Sequence, residues 1–345
     1  MRLSKTKMAA MGAAGIVAFA FWTGSGSNAA EAKGFSLDKN RKVLAPITYK
    51  NLTLFPVVAT TRKKGADYIV LDSGMKRGVV KVNERKGGGT VSKLSLTNKS
   101  DKPLFLMAGE VIVGGKQDRI IGKDTIVAAK STETVPVFCV EHGRWAGRKA
   151  SFSSAKALGH MALRRRAKFS SQSAVWKEVA KKNAMRKLSN KTQTYRHVAT
   201  AKKFKKSVGA YANFFKRALT RVKQPRQVGF IVAFNGKVVA VELFGSAKLF
   251  GKLQAKLLRS YYVEAIDRKV RKNPRKAVAA DVRMFIANAQ RARKKRKVVH
   301  AAKSGNTYNF SDSMVEGSVI RSKKKPGAKP GKFAEEPVYD AVYAH

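Results

Sequence analysis

Leu106-Met-Ala-Gly-Glu-Val-Ile-Val-Gly-Gly-Lys-Gln-Asp-Arg119 and, further on, Val135-Pro-Val-Phe-Cys-Val-Glu-His-Gly-Arg-Trp145 decide how this chain is read. Short apolar segments of strand length alternate there with polar residues at loop-like positions. A buried strand needs only Val, Ile and Leu, so Glu110, Lys116, Gln117, Asp118, Arg119, Cys139, Glu141, His142, Arg144 and Trp145 ask for another explanation. The reading is a β-rich fold whose strand ends carry a polar site.

Outward from that stretch, the β pattern runs from Leu44 to Trp145. Leu54–Val58, Tyr68–Leu71 and Val79–Val82 are apolar runs, and Gly87-Gly-Gly89 is a hairpin turn into Val91–Thr97. Ser73–Arg77 reads as a short helical turn. Leu104–Val113 and Thr125–Val140 complete a β half of sandwich or barrel type. From Ser153 to Lys223 the chain is helical and densely basic. Trp176, Ala180, Ala184 and Leu188 recur at i, i+4, and Phe204, Val208, Tyr211, Phe215, Ala218 and Val222 make a second apolar face. Val228–Phe234, Asn235-Gly236 and Lys237–Phe244 spell a type I′ hairpin. Ser246 caps the helix after it, with Phe250, Leu253, Leu257, Tyr261 and Ala265 on one face. The fold class is α+β: a β-rich N-terminal sandwich or barrel-like half, with helices and a C-terminal hairpin plus helix packed on it.

The domain plan follows. Residues 1–32 read as a signal peptide: Arg2, Lys5 and Lys7, an apolar run Met8–Trp22, then small residues ending Ala30-Glu-Ala32. The run is short for a bilayer span; an uncleaved anchor is the alternative, and cleavage leaves no integral membrane span. A secreted or periplasmic address is expected. Residues 33–42 form a flexible leader and 43–268 the main domain, β-rich over 43–150 and helical with the hairpin over 151–268. A basic extension follows over 269–321, with a helix at Val278–Ala292 and strands between Val298 and Ile320. Residues 322–345 read as a disordered tail.

The motifs Leu-x-x-Gly-Glu110, Gly114-x-Lys-Gln-x-Arg119 and Pro136-Val-x-Cys-Val-Glu-x-Gly-Arg-Trp145 resemble the bacterial ADP-ribosylglycohydrolase- and rhodanese-phosphatase-associated domain. The likeness begins near Asn51-Leu-Thr-Leu-Phe-Pro56, returns at Val241-Glu-Leu-Phe-Gly245 and Leu257-Leu-Arg-Ser-Tyr261, and so covers about 45–268. That family carries no established activity; its name records the genes it accompanies. Resemblance therefore implies a site without naming a reaction, and adds Glu242 and Arg259 to it. Position 118 departs from the family: Asp118 stands where Asn is expected.

Within the site, Glu110 and Glu141 are the candidate catalytic carboxylates, as general base or metal holder. Lys116, Gln117, Asp118, Arg119, Arg144 and Trp145 are ligand-binding candidates, Arg through its planar fork and Trp through its ring face. These residues are expected to line one pocket. The alternative is a closed network in which Arg119 and Arg144 pair with Glu110 and Glu141. Cys139, the only cysteine, excludes an internal disulfide and by default is a small buried hydrophobe. A Cys139/His142 nucleophile pair would need one face, whereas a strand through 135–141 puts the two on opposite faces. Gly114-Gly-Lys116 lacks the Walker spacing. The five histidines are scattered and no His-x-x-x-His occurs, so no metal site is expected, and the cofactor stays open.

Net charge is +51, and +49 after removal of residues 1–32 with their three bases and one acid. Nonspecific, salt-sensitive polyanion binding is expected. No helix-turn-helix, zinc-finger or RNA-binding signature accompanies the charge, and Lys294-Lys-Arg-Lys297, which resembles a nuclear signal, follows a secretory leader. Two function classes result, with catalysis left open: a pocket that binds or processes a phosphate-bearing or otherwise anionic small ligand, or a noncatalytic secreted or envelope protein that holds anionic polymers on its basic surface.

Overall fold

The computed structural model describes residues 34–61, 65–85, 91–144, 151–187, 191–200, 205–222, 225–323 and 336–345. Strands β1 (Phe35–Asp38), β2 (Arg41–Val43), β3 (Ile47–Tyr49) and β4 (Leu52–Ala59) open the chain, followed by β5 (Ile69–Val70) and the short helix α1 (Leu71–Lys76). The β-rich half continues with β6 (Val80–Asn83), β7 (Lys93–Asn98), β8 (Leu104–Leu106), β9 (Glu110–Gly114), β10 (Arg119–Ile121), β11 (Thr125–Val127), β12 (Ser131–Cys139) and β13 (Phe152–Leu158). Helices α2 (Met161–Phe169), α3 (Gln172–Met185), α4 (Arg196–Thr200) and α5 (Lys205–Arg221) form the basic middle. Then come β14 (Gln227–Phe234), β15 (Lys237–Phe244), α6 (Ala247–Ala265), α7 (Ala279–Arg293), β16 (Lys297–Ala302), β17 (Gly305–Ser311), β18 (Val315–Ser322) and β19 (Glu336–Ala344).

The Asn235-Gly236 hairpin sits at the centre of the largest sheet, ordered β1-β2-β4-β14-β15-β19-β18-β17-β16 with β3 beside β4. Its two turn residues have φ of 49° and 80°, the paired positive φ of a type I′ turn. β14 is apolar from Val228 to Phe234 because helices cover both faces of the sheet. Phe230, Val232 and Phe234 meet Phe250, Leu253, Leu257 and Tyr261 of α6 on one side. Ile231, Ala233 and Val241 meet Val282, Phe285 and Ala289 of α7 on the other. The β-rich half curls into a six-stranded antiparallel sheet, β13-β9-β10-β12-β7-β6, closed by the small sheet β11-β8-β5. Its interior holds Leu94, Leu96, Leu106, Ile112, Ile121, Val135 and Val137. The architecture is α+β, as read.

Several boundaries differ from the sequence reading. The leader is structured: Phe35 and Leu37 of β1 pack on the second core, an alternation hidden among charges. Of the expected tail, the described residues 336–345 are structured, and 324–335 lie outside the described residues. β19 lies between β15 and β18, antiparallel to both, because Val338, Tyr339, Ala341, Val342 and Tyr343 bury both of its faces. The extension is not separate from the main domain, since α7 and β16–β18 complete the same sheet. Leu104–Val113 is broken at Gly109 into two strands of different sheets. In α3 the buried residues are Val175, Val179, Lys182 and Asn183, one position off the expected stripe, while Ala180 and Ala184 are exposed. The cause is electrostatic: Lys182 and Arg186 turn inward to pair with Asp267. The signal region, the Gly87–Gly89 turn, Trp145, Leu188 and Phe204 lie outside the described residues. Among the described residues no helix is long and apolar enough to cross a membrane.

Candidate functional site

The two glycines after β9 have positive φ, 122° at Gly114 and 52° at Gly115. A Cβ on Gly114 would stand 2.8 Å from the Ser151 carbonyl oxygen, and one on Gly115 would stand 2.3 Å from the Phe152 ring. The pair is glycine so that β9 can turn tightly against β13, not to cradle phosphate. The residues after it close on the end of β12. Arg144 donates to Glu141 Oε2 through Nε (3.0 Å) and Nη2 (2.7 Å), and to the Gly115 carbonyl through Nη1 (2.9 Å). The Asp118 amide donates to the same Glu141 oxygen at 3.0 Å. Burial opposes ionisation of Glu141, but the Arg144 guanidinium and the Asp118 amide hold its carboxyl below the ordinary range.

Asp118 is buried and engaged through both carboxylate oxygens. Its carboxylate accepts from the Gly114 amide (3.1 Å), Thr194 Oγ1 (2.9 Å) and Arg196 Nη2 (3.0 Å). It therefore ties the β9–β10 turn to the segment before α4 instead of facing a ligand. Arg119 donates to Gln117 Oε1 at 3.2 Å and lies 3.9 Å from Glu84. Lys116 is half-buried, and its amide donates to Glu84 Oε1 at 3.1 Å. Cys139 is buried, with its backbone paired to the Gln172 amide group; burial pushes its thiol pKa up. His142 lies past the strand end, exposed, edge-on to Trp176 at 4.5 Å. The two do not form a nucleophile pair.

Glu110 belongs elsewhere. It stands at the far end of β9, about 13 Å along the strand from Gly114 at 3.3 Å per residue. One oxygen accepts from the Met107 amide at 3.0 Å and the other pairs with Lys256, which is also 3.1 Å from Asp72. The single pocket expected from the sequence is thus divided into two closed networks. Of the pairings in the closed-network alternative, Arg144 with Glu141 is present, whereas Glu110 pairs with Lys256 and Arg119 lies beside Gln117 and Glu84.

A third network lies deeper. Glu242 is fully buried and pairs with Arg164; its carboxylate accepts hydroxyl hydrogen bonds from Tyr261, Tyr339 and Tyr343, the last at 3.0 Å. Burial alone would raise the Glu242 pKa, yet Arg164 and the tyrosine hydroxyls hold it low. Beside it Lys168 pairs with Asp124 at 2.7 Å and sits 4.6 Å from the Tyr339 ring centre. Arg259 is exposed and takes no part in the Glu242 pair, while Ser260 donates to the Gly159 carbonyl at 2.7 Å. Glu178 of α3 accepts from His160, itself bonded to the Tyr195 hydroxyl at 2.9 Å. Burial holds the His160 pKa well below the ordinary value, so the ring is neutral. A carboxylate only accepts, so the ring hydrogen sits on Nε2 toward Glu178 and Nδ1 accepts from the Tyr195 hydroxyl.

An open cleft of about 1150 Å³ lies at one end of the large sheet. Arg226, Arg293, Arg296, Arg321 and Lys248 line it, and Phe244 and Tyr339 form its floor. α6 points its N-terminus at the cleft. Ser246 caps that helix, accepting from the Leu249 amide at 3.2 Å, and Ala247 and Lys248 of the first turn are lining residues. First-turn amides have no partner within a helix, and the dipole there favours anions. Asp38, Asp67, Asp340 and Glu336 also line the cleft, and the three aspartates pair with Arg41, Lys248 and Arg293. Sequence reasoning recorded the Ser246 cap without its neighbours. Arg226, Arg321 and the Arg293–Arg296 turn come from three segments whose meeting only the sheet order reveals.

No curated protein and no solved structure matches the chain. The model of the ARG and Rhodanese-Phosphatase-superfamily-associated Protein domain matches residues 40–326, from β2 past β18 and further than the stretch 45–268 read from motifs, and the chain belongs to that family.

Proposed function

We propose that this protein, exported to the periplasm or beyond, binds a phosphate-bearing or otherwise anionic small ligand in the cleft at the N-terminus of α6. One observation carries the reading: the cleft is open, and Arg226, Arg293, Arg296, Arg321 and Lys248 line it beside the N-terminus of α6. Arginine forks and first-turn amides are the donors that phosphate and carboxylate oxygens accept from. The volume suits a ligand of nucleotide or sugar-phosphate size. Catalysis is not part of the proposal.

The test is a thermal-shift screen of the full-length chain over inorganic phosphate, nucleotides and sugar phosphates. A ligand that binds only the folded state stabilises it by about 2.7 kcal/mol at a hundredfold excess over Kd. Arg226→Gln with Arg321→Gln should weaken the best hit at least about tenfold, the cost of about 1.4 kcal/mol of lost contact. Arg144→Gln should leave that affinity unchanged. The reverse pattern would return the site to the Glu141 network and overturn the proposal.

The net charge of +51 favours a second reading, a noncatalytic protein held on anionic polymers by its whole surface. In that case no single arginine pair matters, and affinity for arbitrary DNA falls steeply with salt.

A further inference from the structure

α7 ends in a dense run of charge. From Arg291 to Lys297 the chain reads Arg-Ala-Arg-Lys-Lys-Arg-Lys. The amides of Lys294, Lys295 and Arg296 donate to carbonyls three residues back, at 3.2, 3.1 and 3.2 Å. Side chains three apart eclipse in such a turn, about 6 Å apart along its axis. Arg293 and Arg296 therefore share one side, and both line the cleft. Arg291 and Lys294 share a neighbouring side, and they are exposed, as are Lys295 and Lys297.

Bases in a last helical turn complement the macrodipole, an effect of about 0.3–1 kcal/mol that fades within that turn. One or two side chains satisfy it. The remainder repel one another, since like charges at helical spacing are destabilising. The run is thus richer than the helix end requires, and its cleft-facing members join it to the arginines inside. A lone anion seated in the cleft would leave Lys294, Lys295 and Lys297 unused. The aromatic floor is 4% exposed at Phe244 and fully covered at Tyr339, so it presents no ring face on which a nucleobase could stack.

We infer that the ligand is a linear polyphosphate-type chain, with its end seated among Arg226, Arg296 and Arg321 and its following phosphates along the 291–297 turn. This rests on the cleft reading above and names the class of ligand for it.

Calorimetric titration of the full-length chain with inorganic phosphate, tripolyphosphate and a polyphosphate of roughly thirty units tests it, between about 50 and 200 mM salt. Affinity should rise at least about tenfold from tripolyphosphate to the long chain, as counterion release accumulates along the track. The triple variant Lys294→Gln, Lys295→Gln, Lys297→Gln should keep tripolyphosphate binding and lose the gain with length. Its log–log salt slope for the long chain should be shallower by about two, at about 0.7 per lost phosphate contact. A control triple on exposed lysines of the α3 region, Lys177→Gln, Lys181→Gln, Lys187→Gln, should keep the gain. Tripolyphosphate binding without a gain, a gain that survives the first triple, or an equal loss in the control would overturn the inference and leave the cleft reading standing. Equal affinity for an oligothymidylate of matched length would overturn it in favour of nucleic acid. Failure of every phosphate to bind the unmodified chain would instead remove the cleft reading, and this inference with it.

Discussion

Arg164 and Glu242 meet in the interior with neither side chain exposed, and the hydroxyls of Tyr261, Tyr339 and Tyr343 close around the carboxylate. Only Nη2 of Arg164 is engaged: Nε and Nη1 have no acceptor among the described residues. Removing one partner leaves an uncompensated buried charge, so Arg164→Met or Glu242→Gln should each cost about 3–5 kcal/mol. The double variant Arg164→Met, Glu242→Leu should cost less than either single change. Urea midpoints of the three proteins decide the matter. Because the folded-state pKa of Glu242 is depressed, its contribution is present above the ordinary glutamate range and is lost as pH falls through the folded value. Acid unfolding of Glu242→Gln should therefore lack part of the stability loss seen in the parent below about pH 4.

Lys256 is shared by Glu110 and Asp72, and burial pushes the Glu110 carboxyl up against the pull of that lysine. In Lys256→Met the pull is gone and the Glu110 pKa rises further. A group with a raised folded pKa favours the fold at low pH, and that advantage is lost as pH rises through the folded value. The variant should be weaker by about 3 kcal/mol at neutral pH, with the deficit shrinking below about pH 5. Denaturant midpoints at the two pH values test this; an equal deficit at both would contradict it.

Gly109 has φ of 96°, and a Cβ there would stand 2.4 Å from Cγ of Arg164. Gly109→Ala combines backbone strain of about 1–3 kcal/mol with displacement of the buried arginine. Gly78, with φ of 72° and open space around it, carries only the strain. Gly109→Ala should lower the urea midpoint clearly more than Gly78→Ala.

Deleting residues 336–345 removes β19 and with it two hydroxyls from Glu242, while baring the edges of β15 and β18. The truncated chain should show no cooperative thermal transition. Tyr343→Phe alone loses a hydrogen bond donated to Glu242 and one accepted from Arg164, each to a charged group, and should cost at least about 1.5–3 kcal/mol and still fold.

Export makes a separate prediction. N-terminal sequencing of protein from its native host should begin near Glu31 or Lys33. Recovery of intact Met1 on soluble cytoplasmic protein would exclude it.

The legible parts of the fold were those set by local periodicity. Asn235-Gly236 defines its hairpin and Phe250, Leu253, Leu257 and Tyr261 define the face of α6, because each pattern carries its own geometry. β19 was misread because Glu336, Asp340 and the Lys/Pro-rich stretch before it look like a solvated tail. Its burial depends on Arg293 and Tyr-lined partners far away in sequence. The buried stripe of α3 was displaced for a similar reason: Lys182 goes inside only because Asp267 waits there. At the site, the motif chemistry was visible but not its direction. Glu110 finds its partner in Lys256, and Asp118 finds its partners in Thr194 and Arg196, and nothing in the motif itself announces those contacts. The cleft was invisible, since Arg226, Arg296 and Arg321 are brought together only by strand order.

The position of β19 also sets a clock. The strand that fills the middle of the large sheet follows both of its neighbours in the sequence, and β15 and β18 cannot be bridged until it is in place. Until then Glu242 is a charge without its cage and the two helical layers have no continuous floor to cover. Pairing of β19 with the distant β15 forms slowly, so the large sheet is completed late in folding.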